Sequence, residues 1–483
     1  MIAFPELKKG FSRDTRFAVG LFAVVLFAVA LAPRLFVALF WAQEPVWDGH
    51  YYDFGARRIA EGFGYSDDIF VGGVKVWHPW CHYPVGYSAF LGFFYRIFGA
   101  NAVVAAFVNA VVSSYVAVMT YALARTGLSE SRARVAGTLV ALHPGLILYS
   151  ALVMTEPLAT LATLTAFWLA ARKPGNMKWL AASALVLGLA ALVRPQALLC
   201  LPFLALVEER HLFSGKFQLS WGWARQLGLR LSILAICTLL PIAPWTARNC
   251  KVMDSCALVS TNGGWNLAIG SFPRATGRFE TLRSSDGCSD VTGQVQQDRC
   301  WLAYGVDHVK RDPWRWIKLM PTKLRHTFDH ESFAVGYLKE ARPSAWPEWK
   351  ATRVREVLTV GHVLLLVLAC FASVTRASGR ARWVHIALFG AIVLFAGYVF
   401  MTPVPSFWPF SVVAALLPFL PLPASSERPP AVILSAAFLL TTCMTHAIFF
   451  GEDRYHMVVT PVFALLAAAS LRPPKGAQPK EVV

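Results

Sequence analysis

The stretch FAVGLFAVVLFAVALAPRLFVALFW, Phe17–Trp41, decides the class of this protein. About 20 apolar residues in a helix cross the hydrocarbon core of a bilayer, and this run is longer than that. It is too long for a signal-peptide core, and no A-x-A-like cleavage site follows, so it reads as an uncleaved first span. The rest of the chain agrees: of 483 residues, 56% are hydrophobic and 15% charged, and the mean hydropathy is +0.49. A soluble domain cannot hide so much apolar surface. Further apolar runs fall near 102–124, 135–150, 157–171, 179–193, 196–207 and 229–247, then near 357–374, 383–401, 407–422, 431–449 and 457–471. Together they predict an all-α polytopic membrane protein with about twelve transmembrane helices. They divide the chain into an N-terminal transmembrane module (1–247), a polar segment between spans 7 and 8 (248–355) and a C-terminal transmembrane module (356–483).

The net charge of +17 is, in such a chain, first an orientation signal and not a nucleic-acid footprint. An even number of spans puts both termini on one side. If that side is cytoplasmic, the inside segments carry Lys8, Lys9, Arg13 and Arg16; Arg125, Arg132 and Arg134; Arg172, Lys173 and Lys178; and Arg210, Lys216, Arg225 and Arg230. They continue with Arg376, Arg380, Arg382, Arg428, Arg472, Lys475 and Lys480. The short outer segments hold only Arg57, Arg58, Lys75, Arg96, Arg194 and Arg454. The run PVGYSAFLGFFYRIFG (Pro84–Gly99) is short and interrupted by Arg96, which makes it an interfacial or re-entrant helix on the outer face.

This orientation places VWDGHYYDFGARRIAEGFGY (Val46–Tyr65), at the start of an outer loop spanning 42–101, on the same face as YSALVMTEP, ALVRPQ, PWTARNCKVM and FFGEDRYHM. Each brings an ionisable group to the outer end of a helix: Asp48 or Asp53, Glu156, Arg194, Arg248, and Asp453 with Arg454. Charges at membrane depth cost about 2.5–3.5 kcal/mol each and tend to pair or to line a cavity, so a shared polar pocket is expected. Ordinary helix-end charges facing lipid headgroups are the plainer alternative.

In order and sidedness, these pieces resemble the GT-C-type glycosyltransferases, specifically the dolichyl-phosphate-mannose–protein mannosyltransferase and lipid A aminoarabinose transferase superfamily. The likeness rests on YYDFGARRIAEGFGY, HYPVGYSAFLGFFYRIFG, LHPGLILYSALVMTEPL, GLAALVRPQAL, PWTARN, STNGGWNLAIG and GEDRYHMVVTPVFALLAA, spread over about residues 17–471. Where the family usually has a Pro-Pro pair, this chain has HYPVGY. The resemblance implies an enzyme that takes a sugar from a polyprenyl-phosphate carrier and transfers it, usually with inversion, to a hydroxyl of a protein, glycolipid or glycan on the non-cytoplasmic face. The family's aspartate in the first outer loop, thought to be its catalytic base, falls on Asp48.

The residues themselves suit that chemistry. Transfer to an alcohol needs a base for the hydroxyl proton and positive charge for the departing phosphate, which guanidinium groups supply. Asp48 is the candidate base, with an N-cap of a helix Tyr51–Glu61, closed by Gly62, as its structural alternative. Glu156 is a second catalytic candidate, or a helix-start charge favoured by the dipole. Arg194, Arg248 and Arg454 are candidates for the carrier phosphate, joined by the Arg57/Arg58 pair, and Tyr455, His456, His82 and Tyr83 for sugar or phosphate contacts. Asp53 is four residues before Arg57 and expected to pair with it.

No cofactor beyond the lipid-linked donor is required, and no metal is expected. His326 and His330 in RHTFDHE have i,i+4 spacing beside Asp329 and Glu331, but nothing else resembles a metal motif, and SSDGCSD does not fit a calcium loop. The segment 248–355 suits a small α/β or mainly irregular domain, with VSTNGGWNLAIGSFPRATG as a turn-rich loop over the pocket. Its four cysteines pair by proximity as Cys250–Cys256 and Cys288–Cys300, which suits an oxidising compartment. Cys200, Cys237, Cys370 and Cys443 lie in spans as small apolar residues. The competing class is a transporter or flippase of lipid-linked sugars or small solutes. Transporters commonly carry internal repeats and mid-membrane broken helices, whereas here no repeat is visible and the carboxylates sit at helix ends. A bacterial inner membrane, with an active site on the periplasmic face, is the expected location.

Overall fold

The structure is a computed structural model that describes residues 13–207, 220–374, 379–423 and 428–471. Lys8, Lys9, Arg210, Lys216, Arg376, Arg472, Lys475 and Lys480, part of the charge pattern above, lie outside the described residues. The chain is an integral membrane protein built from helices, the elements that satisfy every backbone polar group within a bilayer.

In chain order, α1 (Arg13–Phe40) leads to α2 (Asp48–Ala60), then to a hairpin of β1 (Ser66–Val71) and β2 (Val74–Pro79). The hairpin is antiparallel, pairing Ser66 with Pro79 and Val71 with Val74. Gly72 and Gly73, at φ +58° and +82°, make its two-residue turn, a conformation glycine adopts without penalty. The sequence reading had no strand here. There follow α3 (Val85–Phe98), α4 (Ala102–Ala124), α5 (Glu130–Ala141), α6 (Pro144–Leu148), α7 (Glu156–Arg172), α8 (Met177–Val193), α9 (Leu201–Leu206) and α10 (Trp221–Val252). The polar segment holds α11 (Gly263–Ser271), α12 (Gln294–Arg311), α13 (Pro313–Phe328) and α14 (Phe333–Ala341). The chain closes with α15 (Glu348–Ala369), α16 (Ala381–Met401), α17 (Trp408–Leu416), α18 (Pro430–Ile448) and α19 (Thr460–Ser470).

Among the described residues, six helices are long and apolar enough to cross a membrane: Phe17–Phe40, Ala102–Ala124, Trp221–Val252, Glu348–Ser373, Ala381–Met401 and Pro430–Ile448. The other expected spans coincide with shorter apolar helices, and 135–150 is interrupted. Pro144 has no N–H to continue the ladder of α5, so the chain restarts as α6 after Leu142 and His143. The carbonyls freed by that break are taken by Arg34 of α1, which donates to Val140 at 3.0 Å and Ala141 at 2.6 Å, and to Ser113 Oγ at 2.9 Å. A wholly buried arginine in the first span is thus a cation placed on a helix C-terminus.

Lipid gives little hydrophobic drive between helices, so small residues set the contacts. Gly188 of α8 lies so close to the Thr238 carbonyl and Pro241 of α10 that any side chain there would collide. The bundle has two distinct polar ends. One gathers Arg125, Glu130 and Arg134 in salt bridges of 2.8 and 3.0 Å, with Arg132 donating to the Ala469 carbonyl at the end of α19. The other gathers the groups placed on the outer face.

The segment after α10 is helical and irregular, with no strand among its described residues, which corrects the α/β alternative. Both cysteine pairs are bonded, Cys250–Cys256 and Cys288–Cys300. The expected loop VSTNGGWNLAIGSFPRATG holds helix α11 in its middle and is irregular on either side: the helix's first free N–H groups, Gly264 and Trp265, donate to Asp298 of α12 at 2.8 and 3.1 Å.

Candidate active site

The site begins at the junction of α1 and α2. Trp47 has φ +51°, the one described non-glycine residue with positive φ, a conformation that costs about 1–3 kcal/mol and needs support from its surroundings. The indole packs against Phe333 and Tyr337 of α14, with ring centroids 5.5 and 5.9 Å away, and Tyr337 Oη accepts from the Val46 N–H at 3.2 Å. Helix α2 starts at Asp48, three residues earlier than the sequence suggested, and ends before Gly62 at φ +92°. Asp48 is therefore the first helical residue. The capping alternative is corrected: the preceding residue is Trp47, no side chain caps this helix, and the Asp48 carboxylate points elsewhere.

Its partners are Arg454, from the turn between α18 and α19, and Tyr83, whose hydroxyl donates to Asp48 Oδ1 at 2.8 Å. Burial alone would raise the Asp48 carboxyl, but the Arg454 guanidinium, the Tyr83 hydroxyl and nearby His82 outweigh it and hold the group below the ordinary aspartate value. The side chain keeps 23% exposure, so it is reachable as well as ionised. Arg454 also meets Glu452 at 2.8 Å and donates to Tyr455 Oη at 3.0 Å.

A second ion pair stands beside the first. Arg194, at the end of α8, donates to Glu156 Oε1 at 2.7 Å and Thr155 Oγ1 at 3.2 Å, at the start of α7. The Tyr455 ring lies between the pairs, with the Arg194 guanidinium 5.5 Å and the Arg454 guanidinium 4.8 Å from its centroid. Five distant pieces of sequence thus converge: Asp48, Tyr83, Glu156, Arg194 and Arg454–Tyr455. Arg194 also lines a small cleft of about 30 Å³ walled by Thr163, Phe438, Thr441, Thr442, Thr445 and Val458.

The remaining candidates lie around this cluster in other contacts. Asp53 pairs with Arg57 at 2.6 Å, as its spacing predicts, and accepts from Tyr95; Arg57 also donates to the Ala100 carbonyl. Arg58 reaches Asp68 at 2.9 Å and stacks on Phe63. Arg248 donates to the Trp80 and Tyr65 carbonyls at 3.0 and 2.6 Å and stacks on Trp245, clamping the hairpin loop onto α10. His82 packs edge-on against Tyr83 and Trp265, and burial keeps its imidazole below the ordinary histidine value. His456 turns away from Asp48, toward Thr327 and Glu331.

Three neighbours were not read from the sequence as site residues. Tyr52 is buried where both ion pairs act on it, His446 stacks on Tyr455 with centroids 4.1 Å apart, and Glu452 is the second carboxylate on Arg454. The signal for Tyr52 was its place one helical turn after Asp48; the other two carry no local pattern.

A family model matches about a third of the chain. Residues 82–245 match the family model described as dolichyl-phosphate-mannose-protein mannosyltransferase. A comparison with curated protein sequences gives no match. Among solved structures, the chain is similar to the oligosaccharyltransferase AglB of Archaeoglobus fulgidus, in complex with an inhibitory peptide and a dolichol-phosphate. There the identity is 12% and the TM-score 0.48, over 95% of this chain and 50% of that one. It is also similar to ArnT of Cupriavidus metallidurans bound to undecaprenyl phosphate, at 14% identity and TM-score 0.36, over 95% of this chain and 78% of that one. The chain therefore spans about half the length of the AglB chain it resembles, and its family likeness is to the mannosyltransferases through residues 82–245.

Proposed function

We propose that this protein is a GT-C-type glycosyltransferase that moves a sugar from a polyprenyl-phosphate carrier to a hydroxyl acceptor. The reaction takes place on the non-cytoplasmic face of a bacterial inner membrane, with both chain termini cytoplasmic. The observation that carries the reading is the convergence of a reachable, ionised carboxylate, Asp48, with two arginines at one end of the bundle. The mannosyltransferase family match supports it.

In this reading Asp48 takes the acceptor hydroxyl proton as the oxygen attacks the anomeric carbon. The bond from that carbon to the carrier phosphate breaks, and its electron pair leaves with the polyprenyl phosphate. Arg454 and Arg194 hold that phosphate; guanidinium groups match its oxygens in a fork. Glu156 orients Arg194. When phosphate competes for Arg454, Asp48 loses the partner that most lowers its pKa, while the burial that raises it remains. Donor binding thereby makes Asp48 a stronger base, nearer the working pH where general-base catalysis is most effective.

The test is sugar transfer from a panel of labelled polyprenyl-phosphate sugars by wild type and Asp48→Asn. Loss of the general base should lower kcat by about 10²–10⁴-fold while carrier binding is retained. Equal turnover in the two proteins would remove Asp48 from the mechanism, and no turnover of any donor by wild type would remove the activity.

A further inference from the structure

Beneath the turn that carries Arg454, four buried side chains from four elements face one another. They are His143 at the α5–α6 break, Glu331 between α13 and α14, His362 in α15 and His456 before α19. One ligand atom each from Glu331, His362 and His456 lies within 4.8 Å of the others.

The hydrogen bonds fix what these atoms carry. His456 Nδ1 is 2.7 Å from the Thr327 carbonyl and His362 Nε2 is 2.9 Å from the Phe328 carbonyl. A carbonyl only accepts, so both of those nitrogens hold a proton. In the neutral rings His456 Nε2 and His362 Nδ1 are then bare lone pairs. The first faces Glu331 Oε2 at 3.4 Å. His362 Nδ1 and Glu331 Oε1 are buried with no hydrogen-bond partner among the described residues. Three Lewis bases crowded together in a dry interior repel, and each unpaired group costs about 1–3 kcal/mol.

One proton shared by His456 and Glu331 would leave the other two atoms orphaned. Protonating both imidazoles would set like charges face to face, since the His362 and His456 rings stack with centroids 3.8 Å apart at 23°. A divalent cation satisfies all three donors at once. Successive carbonyls of one helix end, Thr327 and Phe328, then act as the outer-shell partners that commonly fix metal-ligating histidines. His143 stands behind the carboxylate: its Nδ1 accepts from the Leu146 N–H at 3.4 Å, which leaves an Nε2–H 3.9 Å from Glu331 Oε2 with no hydrogen-bond partner among the described residues. Room for the carboxylate comes from Gly145, where any side chain would collide with Glu331 Oε1.

We propose that Glu331, His362 and His456 form a structural zinc site that ties α13, α15 and the Arg454 turn together. Two imidazoles and a carboxylate are borderline donors suited to zinc. This site is separate from the candidate active site and does not depend on its reading. Thr327 and Phe328 belong to RHTFDHE, but the ligands differ from its i,i+4 histidine pair: among the described residues His326 and His330 join no such cluster, and Asp329 is engaged by Ser406, Phe407 and Trp408.

The test is metal analysis of the full-length chain, purified in detergent with a tag free of histidine, loaded with zinc chloride and dialysed against a weak chelator. The expected result is one zinc per chain, with X-ray absorption showing imidazole and carboxylate ligands at about 2.0–2.2 Å. Glu331→Gln and His362→Gln should each release it, and His143→Phe should weaken it by roughly 10–100-fold. Asp48→Asn should bind it unchanged. Cobalt-substituted wild type, read by its visible ligand-field bands, gives the answer without any variant having to fold: bands of a four-coordinate ion, with a water or the second Glu331 oxygen as fourth ligand, support the site. Wild type that retains no metal overturns it, as does zinc that persists unchanged in Glu331→Gln/His362→Gln.

Discussion

The Arg454 guanidinium lies against the Asp48 carboxylate, joining the turn between α18 and α19 to the start of α2. Asp48 has no second charged partner of this kind, since Tyr83 offers it a neutral hydroxyl, whereas Arg454 also meets the Glu452 carboxylate through Nε at 2.8 Å.

That pairing predicts a pH effect. Asp48 sits below its ordinary value because Arg454 outweighs burial. A carboxyl depressed in the folded state contributes stability above the unfolded value of 3.8 and loses it as the pH falls through the lower folded value. Arg454→Gln removes the main lowering influence and leaves burial, so the acid limb of kcat/KM against pH, which reports the free enzyme, should move to higher pH. A limb that stays in place would show that Asp48 does not titrate in the rate-determining step.

Glu156 and Arg194 form a pair whose carboxylate is only 2% exposed. Removing one partner of such a pair strands the other and costs about 3–5 kcal/mol, whereas replacing both with apolar residues of similar volume is often neutral. Arg194→Ala should therefore lower the unfolding temperature in detergent more than Arg194→Met with Glu156→Leu does. Both forms should lose donor binding, which a carrier-binding assay would read independently of stability.

Lys323 of α13 is wholly buried, donates to the Ile448 carbonyl at 2.9 Å and has Trp316 beside it. Burial lowers its ammonium to about 7, with Arg315 adding to the effect. Between about 7 and its ordinary 10.5 the unfolded chain binds the extra proton, so stability should rise with pH across that window and level off below it. Lys323→Met should abolish the slope; an unchanged slope would place the titrating group elsewhere.

The membrane class, the order of the helices and the gathering of Asp48, Glu156, Arg194 and Arg454 were legible because hydropathy and parity are strong, additive signals. The Asp53–Arg57 pair and Gly62 were legible because their geometry is local. The rest depended on distant partners. Arg248 looked like Arg194 by position, yet its guanidinium is taken by carbonyls of a hairpin that was not foreseen. The break at Pro144 was hidden within an apolar run, and its consequence, a home for Arg34, lies more than 100 residues away in sequence. The proposed zinc ligands share no spacing, because each comes from a different element.

The Trp47–Phe333–Tyr337 contact and the Arg454–Asp48 contact have a consequence for biosynthesis. Asp48 emerges early, but the elements that hold its helix and charge it come roughly 290 and 400 residues later in the chain. During synthesis the growing polypeptide thus exposes an incomplete cluster, and the cluster closes only when the turn before α19 has been made. On the proposed function, a stalled or truncated product that lacks Arg454 would leave Asp48 without its main partner and would not turn over donor.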